Sequence, residues 1–184
     1  FNLHFFNFNN LFLICFLVSP ARTRCSPQVS IEFVFVGIFN DLDLIIVNDG
    51  STDRSKDILE SIDDPRLTYI DQTNSGLPFS LNKAIDQSNG SFIARMDSDD
   101  ISHLDRLQKQ FNYLSVNKEV DLVGSCIRVM NEKGEIIGSK SVPLESSVIQ
   151  ESINYACNVM HPTYFFRREI HKNSGGYRNQ FIYA

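Results

Sequence analysis

Phe92-Ile93-Ala94-Arg95-Met96-Asp97-Ser98-Asp99-Asp100 is the stretch around which this chain reads. Residues 92–96 predict a short buried strand, and the carboxylates begin where it ends. Asp97 and Asp99 then fall just past the strand's carboxyl end, where ligands bind in open α/β sheets. A period of two would place both on one side of the chain. Neighbouring carboxylates repel, and a divalent cation with oxygen ligands relieves that repulsion while keeping positions for phosphate oxygens. The stretch therefore points to a metal–phosphate site. A plainer reading stands beside it: acidic residues solvate loops and favour helix N-termini, and Ser102 with Asp105 has the form of a capping box. A calcium loop of the EF-hand kind does not fit, because Ser102 would take its glycine position and Gln108 its closing glutamate.

Upstream, Leu44-Ile45-Ile46-Val47 is a continuous apolar run of the kind covered on both sheet faces. It enters the turn cluster Asn48-Asp49-Gly50-Ser51-Thr52-Asp53. Ile58, Leu59 and Ile62 mark a helix with Asp53 or Ser55 as its N-cap and Pro65 beyond its end. Residues 67–70 predict another strand. Leu77, Leu81, Ala84 and Ile85 predict a helix stopped by Asn89-Gly90. Downstream, Ile101, Leu104, Leu107, Phe111 and Leu114 form one apolar helical stripe, and residues 122–127 a further strand. Asn131-Glu132-Lys133-Gly134-Glu135 reads as a hairpin turn between residues 126–130 and 136–139, and residues 146–154 as a helix. His161-Pro162-Thr163-Tyr164-Phe165-Phe166 reads as a strand, with a short helix opening at Arg167-Arg168-Glu169-Ile170 and ending at Gly175-Gly176. Such alternation implies an α/β fold, a mostly parallel sheet flanked by helices. No G-x-G-x-x-G follows a strand, so a dinucleotide fold of the usual kind is unsupported.

A chain of 184 residues is long enough for one domain with its own core. A net charge of −5 and no basic stripe exclude nucleic acid as a partner. Cys15, Cys25, Cys126 and Cys157 are scattered, which suits thiols in a reducing compartment better than a disulfide framework. His4, His103, His161 and His171 make no metal motif. Residues 1–41 differ from the rest: nine of the fifteen Phe lie there, mixed with Asn. The apolar run over residues 11–18 is too short to span a bilayer. It imitates the core of a signal peptide, yet Arg22 and Arg24 follow it and no basic residue precedes it. The expectation is an atypical, incomplete or mis-specified N-terminus over 1–41 ahead of a domain over 42–184, with a membrane-associated segment left open.

Taken together, the motifs resemble a known family. Ile45-Ile46-Val47-Asn48-Asp49-Gly50-Ser51-Thr52-Asp53 is similar to the first nucleotide-binding loop of family-2 glycosyltransferases, inverting enzymes of the A-type fold. Asn74-Ser75-Gly76 with Asn82 and Ala84 resembles that family's N-x-G…N-x-A segment, and Asp97-Ser98-Asp99 its D-x-D element. Arg106-Leu107-Gln108-Lys109-Gln110, His161-Pro162-Thr163 and Gly175-Gly176-Tyr177 match later landmarks. The resemblance implies transfer of a sugar from a nucleotide-sugar donor, a UDP-sugar in the expectation, to a saccharide or lipid-linked acceptor. It implies that Asp49 accepts from the base of the donor and that Asp97 lies near its ribose and phosphate. Asp99 would ligate Mg²⁺ or Mn²⁺ bridging the diphosphate. Asn74 and Arg95 join the donor-binding set, although turn formation explains Asn74, and Asn82, equally well, and Arg95 reads equally as a buried or surface arginine. A cytoplasmic location follows, with peripheral association at the inner face of the membrane left open.

Two departures stand against the pattern. The family opens with a strand whose end contacts the nucleotide, and no upstream stretch is assigned to it here, residues 33–36 being the nearest substitute. The acidic motif that holds the family's general base is expected past Ala184, so no residue here is assigned as base. Two other readings compete: a catalytically inactive fragment that at most binds nucleotide, and a phosphatase with an aspartate nucleophile. Ile101 stands where the phosphatase motif needs threonine.

Overall fold

The computed structural model describes residues 12–18, 42–152, 155, 158–178 and 180, the first of these segments as backbone alone. Its main sheet is built on β1 (Phe12–Val18) and β2 (Leu42–Asp49), which run parallel in the register Phe12↔Leu42 to Val18↔Asn48. After α1 (Ser55–Glu60) and β3 (Leu67–Gln72) comes α2 (Leu77–Gln87), then β4 (Phe92–Asp97) and α3 (Arg106–Val116). The short β5 (Leu122–Val123) precedes a separate hairpin of β6 (Ile127–Met130) and β7 (Ile136–Lys140). The chain then forms α4 (Ser146–Ser152), a 3₁₀ turn at His161–Thr163, β8 (Phe165–Arg167) and α5 (Arg168–Ser174). The order across the main sheet is β3-β2-β1-β4-β8-β5. Its first four strands are parallel, and β8 runs antiparallel to both β4 and β5.

Period-two alternation sorts the strand residues onto two faces. On one, Leu42, Leu44, Ile46, Phe92, Ala94 and Met96 pack against Leu59 of α1 and Leu107, Phe111 and Leu114 of α3. On the other, Ile45, Val47 and Ile93 pack against Leu81, Ala84 and Ile85 of α2. Both sheet faces are therefore covered, and the unbroken apolar run of β2 follows from that. The strand order reverses between β1 and β4, which opens the crevice where open α/β sheets bind ligands. Asp97 ends β4 at that point, level with Leu17 of β1.

Several expectations change. The first strand of the sheet is present: it is β1, the run that imitates a signal-peptide core, and residues 33–36 lie outside the described residues. A central parallel strand and a short targeting segment share the same unbroken apolar pattern, and only strand pairing tells them apart. The capping box at Ser102 does not form. The helix starts four residues later, and Asp105, at its N-cap, makes no side-chain capping bond, pairing instead with Lys109 and His103. Ile101 and Leu104 thus lie before the helix and are 41 % and 42 % exposed. His161-Pro162-Thr163 is a 3₁₀ turn, with the strand confined to Phe165–Arg167. The hairpin keeps the expected turn, with Asn131 Oδ1 accepting from the Lys133 and Glu135 amides. No helix among the described residues is long and apolar enough to cross a membrane.

Because β1 pairs on both sides, a proline within it removes a ladder donor at the centre of the sheet. Ile14→Pro is expected to abolish cooperative urea unfolding. A variant that unfolds like the parent would place residues 12–18 outside the sheet.

Candidate functional site

Three strands deliver polar side chains to one edge of the sheet. In register, Asn48 and Asp49 of β2 lie beside Asp71 and Gln72 of β3, while Asp97 closes β4 across β1. Alternation then sends Asn48 to one face and Asp49 to the other. Asn48, 2 % exposed, donates to Asp71 at 2.8 Å and accepts from the Ser51 amide at 3.0 Å, which ties down the first loop. Asp49 is equally buried, yet its carboxylate is well supplied. It accepts from Gln72 Nε2 at 2.7 Å, the Ser75 amide at 2.8 Å and the Gly76 amide at 2.9 Å. Lys83 in turn holds Gln72 Oε1 at 2.8 Å. Charge-assisted bonds of this kind make burial of a carboxylate tolerable. Gly50 lets the two loops meet: its φ is +79°, and a Cβ there would stand 2.8 Å from the Asn74 amide nitrogen.

The acidic stretch departs from simple alternation. Asp97 ends β4, and the Asp100 amide donates to the Asp97 carbonyl at 3.2 Å, so Ser98 and Asp99 form a turn. Asp97 and Asp99 are close through that turn and not through strand periodicity. Asp97 is gripped by Arg95, whose Nη1 donates to Oδ2 at 2.9 Å and whose Nη2 donates to Oδ1. Arg95 is only 4 % exposed, so both terminal nitrogens of this proposed donor contact are spent on Asp97. Burial raises the pKa of Asp97, Arg95 opposes the rise, and Asp99 adds to it. Burial, with the negative charges of Asp97 and Asp99, pushes Asp100 up to about 6. Asp99 itself is exposed and makes no hydrogen bond or ion pair among the described residues.

These groups fit a hard divalent cation, although no group of three or more metal-type side chains occurs among the described residues. Mg²⁺ is commonly bound by one or two carboxylates, with substrate phosphates and water completing its shell. Asp99, open to solvent beside two carboxylates whose pKa burial raises and its own charge raises further, is such a partial set.

The residues expected from sequence gather unevenly. Asp97 and Asp99 are neighbours, Asp49 lies across β1, and Asn74 is exposed on the loop that holds Asp49. Asn82 serves the fold: its amide pairs with both backbone groups of Tyr177, each at 2.8 Å. Sequence reasoning missed Gln72, and it named Tyr177 and Arg106 as landmarks without assigning their work. Arg106 is buried and donates to the carbonyls of Arg95 at 3.3 Å and Pro162 at 3.1 Å.

The pattern of a switch-point crevice, a latched loop after β2 and a carboxylate cluster after β4 finds its match among known proteins. Residues 30–175 match the family model described as Glycosyl transferase family 2. The chain belongs to glycosyl transferase family 2. It is 31 % identical over 172 residues to the O-antigen biosynthesis glycosyltransferase WbnJ of Escherichia coli, covering 92 % of this chain and 67 % of WbnJ. It is 29 % identical to the putative glycosyltransferase EpsE of Bacillus subtilis, covering 82 % of this chain and 54 % of EpsE. Among solved structures, S. aureus TarS 1-349 in complex with UDP superposes with a TM-score of 0.72 at 18 % identity. A mannosyltransferase of Pyrobaculum calidifontis with GDP-Man and Mn²⁺ superposes with a TM-score of 0.67 at 18 % identity. At that identity these two matches establish the fold, the glycosyltransferase A-type. The chain spans about half of either structure, 52 % and 48 %.

His161 gives the site a pH dependence. Burial, then the positive charge of Arg95, lowers its pKa to about 4. The unfolded chain takes up a proton near pH 6.5 that the folded chain refuses until about pH 4, so stability falls as pH drops through that window. His171 is shifted the same way, chiefly by burial. The destabilisation caused by His161→Phe, read as the change in Tm against the parent, is expected to shrink between pH 7 and pH 4.5. A cost independent of pH would show the imidazole to be unperturbed.

Proposed function

We propose that the chain binds a nucleotide-sugar, a UDP-sugar in the first instance, and serves inverting, metal-assisted transfer of that sugar to a hydroxyl of a saccharide or lipid-linked acceptor. The observation that carries this reading is the crowding of Asp97, Asp99 and Asp100 at the carboxyl end of β4. Family membership and the names of WbnJ and TarS support it.

Asp99, with Asp97 behind it, is the place for Mg²⁺ or Mn²⁺. When bound, the cation would neutralise charge on the leaving diphosphate. Arg95 fixes the angle of Asp97 and opposes the rise that burial imposes on its pKa. Asp49 holds the Ser75–Gly76 backbone in place on the base side, and Asn74, on that loop, is free to meet the donor. The acceptor hydroxyl would attack the anomeric carbon from the face opposite the diphosphate, giving its proton to a general base. Manufacture of nucleotide-sugars in the cytoplasm places the reaction there, by analogy with the family.

Calorimetric titration with UDP in the presence of Mn²⁺ tests the donor half. Metal-dependent binding is expected, together with a loss of at least tenfold in Asp99→Ala. Binding that ignores both metal and Asp99 would overturn the assignment. Binding without transfer in a paired assay with several UDP-sugars would leave a nucleotide-binding chain.

A further inference from the structure

His161 sits in a turn that two elements hold, while a third sets the tyrosine beside it. From α3, Arg106 Nη1 donates to the Pro162 carbonyl at 3.1 Å, and Gln110 Nε2 donates to the Thr163 carbonyl at 2.8 Å. From β4, the Arg95 amide donates to the Tyr164 carbonyl at 2.8 Å. Arg106 and Gln110 are four apart, so they share one helix face, and the R-L-x-x-Q and H-P-T motifs grip each other. From the opposite side, the Asn82 amide closes two bonds on the Tyr177 backbone. Gly176 permits that closure, because a Cβ there would stand 2.9 Å from Asn82 Oδ1 at a φ of +74°. Tyr177 is thereby set with its hydroxyl 3.1 Å from His161 Nε2, while Tyr164 packs against the imidazole at 4.9 Å between centroids.

This is heavy support for one side chain, and it occupies only one ring nitrogen. His161 Nδ1 has no hydrogen-bond partner among the described residues, and it is not among their sealed polar atoms. Nδ1 is therefore open to a partner outside the described residues, solvent or ligand. The charged group bearing on the ring is Arg95, the residue that also grips Asp97.

We propose that His161 contacts the donor diphosphate, with the Tyr177 hydroxyl donating to Nε2 and the ring proton on Nδ1 donating to a phosphate oxygen. The inference rests on the donor-binding reading above. A diphosphate suits the position better than an acceptor hydroxyl seeking a base. The ring stays neutral at physiological pH and is a poor proton acceptor, and its cationic neighbour favours an anion. Tyr177, Asn82, Arg106 and Gln110 are then positioning residues that act through His161.

Imidazole ¹⁵N spectra of the full chain at pH 7, before and after UDP with Mg²⁺, test this. The free chain is expected to show His161 protonated on Nδ1, and that nitrogen is expected to shift on titration together with the Gly76 amide. By calorimetry, UDP affinity is expected to fall about tenfold in His161→Phe, the loss of one bond to a charged group. Tyr177→Phe is expected to release the fixed tautomer. A Gly76 amide that responds while the His161 ring does not would overturn the inference and leave the donor reading standing. A ring protonated on Nε2 would also overturn it. No response from either group would overturn both.

Discussion

The two-sided pairing of β1 is the constraint on which the rest of the structure depends. β2 and β4 each bring polar residues to the carboxyl edge, but they share a sheet only through the strand between them. Removing β1 would expose two strand edges and separate Asp49 from Asp97. With it in place, the strand order reverses beside Asp97, and the crevice of an α/β nucleotide site follows from topology. Each face of β2 and β4 then needs a helix, which α1 and α3 supply on one side and α2 on the other.

At that edge the chain spends its buried polar groups in two ways. Asn48 and Asp49 are saturated by their neighbours, and their role is to lock two loops in one geometry. Asp97, Asp99 and Asp100 are under-compensated, with burial and then repulsion raising two of them and one carboxylate left open. Crowding of like charges costs stability, and the proposed metal and donor site lies where that local conflict falls. Arg95 and Arg106 temper the conflict from beneath. Rigid loops and a charged, incompletely paired centre are what pre-organised binding of a phosphorylated donor requires.

Much of this was legible in the chain. Leu44-Ile45-Ile46-Val47 and the residues leading to Asp97 predicted their strands because two-faced burial leaves an unbroken apolar run. The turn residues after β2 marked the first loop. β1 was unreadable because Phe12-Leu13-Ile14-Cys15-Phe16-Leu17-Val18 is followed by Ser19-Pro20-Ala21, which suits the turn after a strand and the end of a targeting segment alike. The carboxylate cluster was visible as composition. Its bracing was not: Asn82 reaches Tyr177 across 95 residues, Arg106 reaches Pro162 across 56, and Gln72 meets Asp49 only through strand register. Proline at position 162 turned the expected strand into a 3₁₀ turn, and that turn is what presents His161.

Everything above requires residues 12–18 to be the central strand of the sheet. Native-state hydrogen exchange on the backbone amides of these seven residues measures that directly. If β1 is bonded on both sides, its amides open only with global unfolding and exchange as slowly as those of Leu44, Ile46 and Ile93. Fast exchange at 12–18 beside slow exchange in β2 and β4 would contradict the account, because Asp49 and Asp97 would then have no common frame.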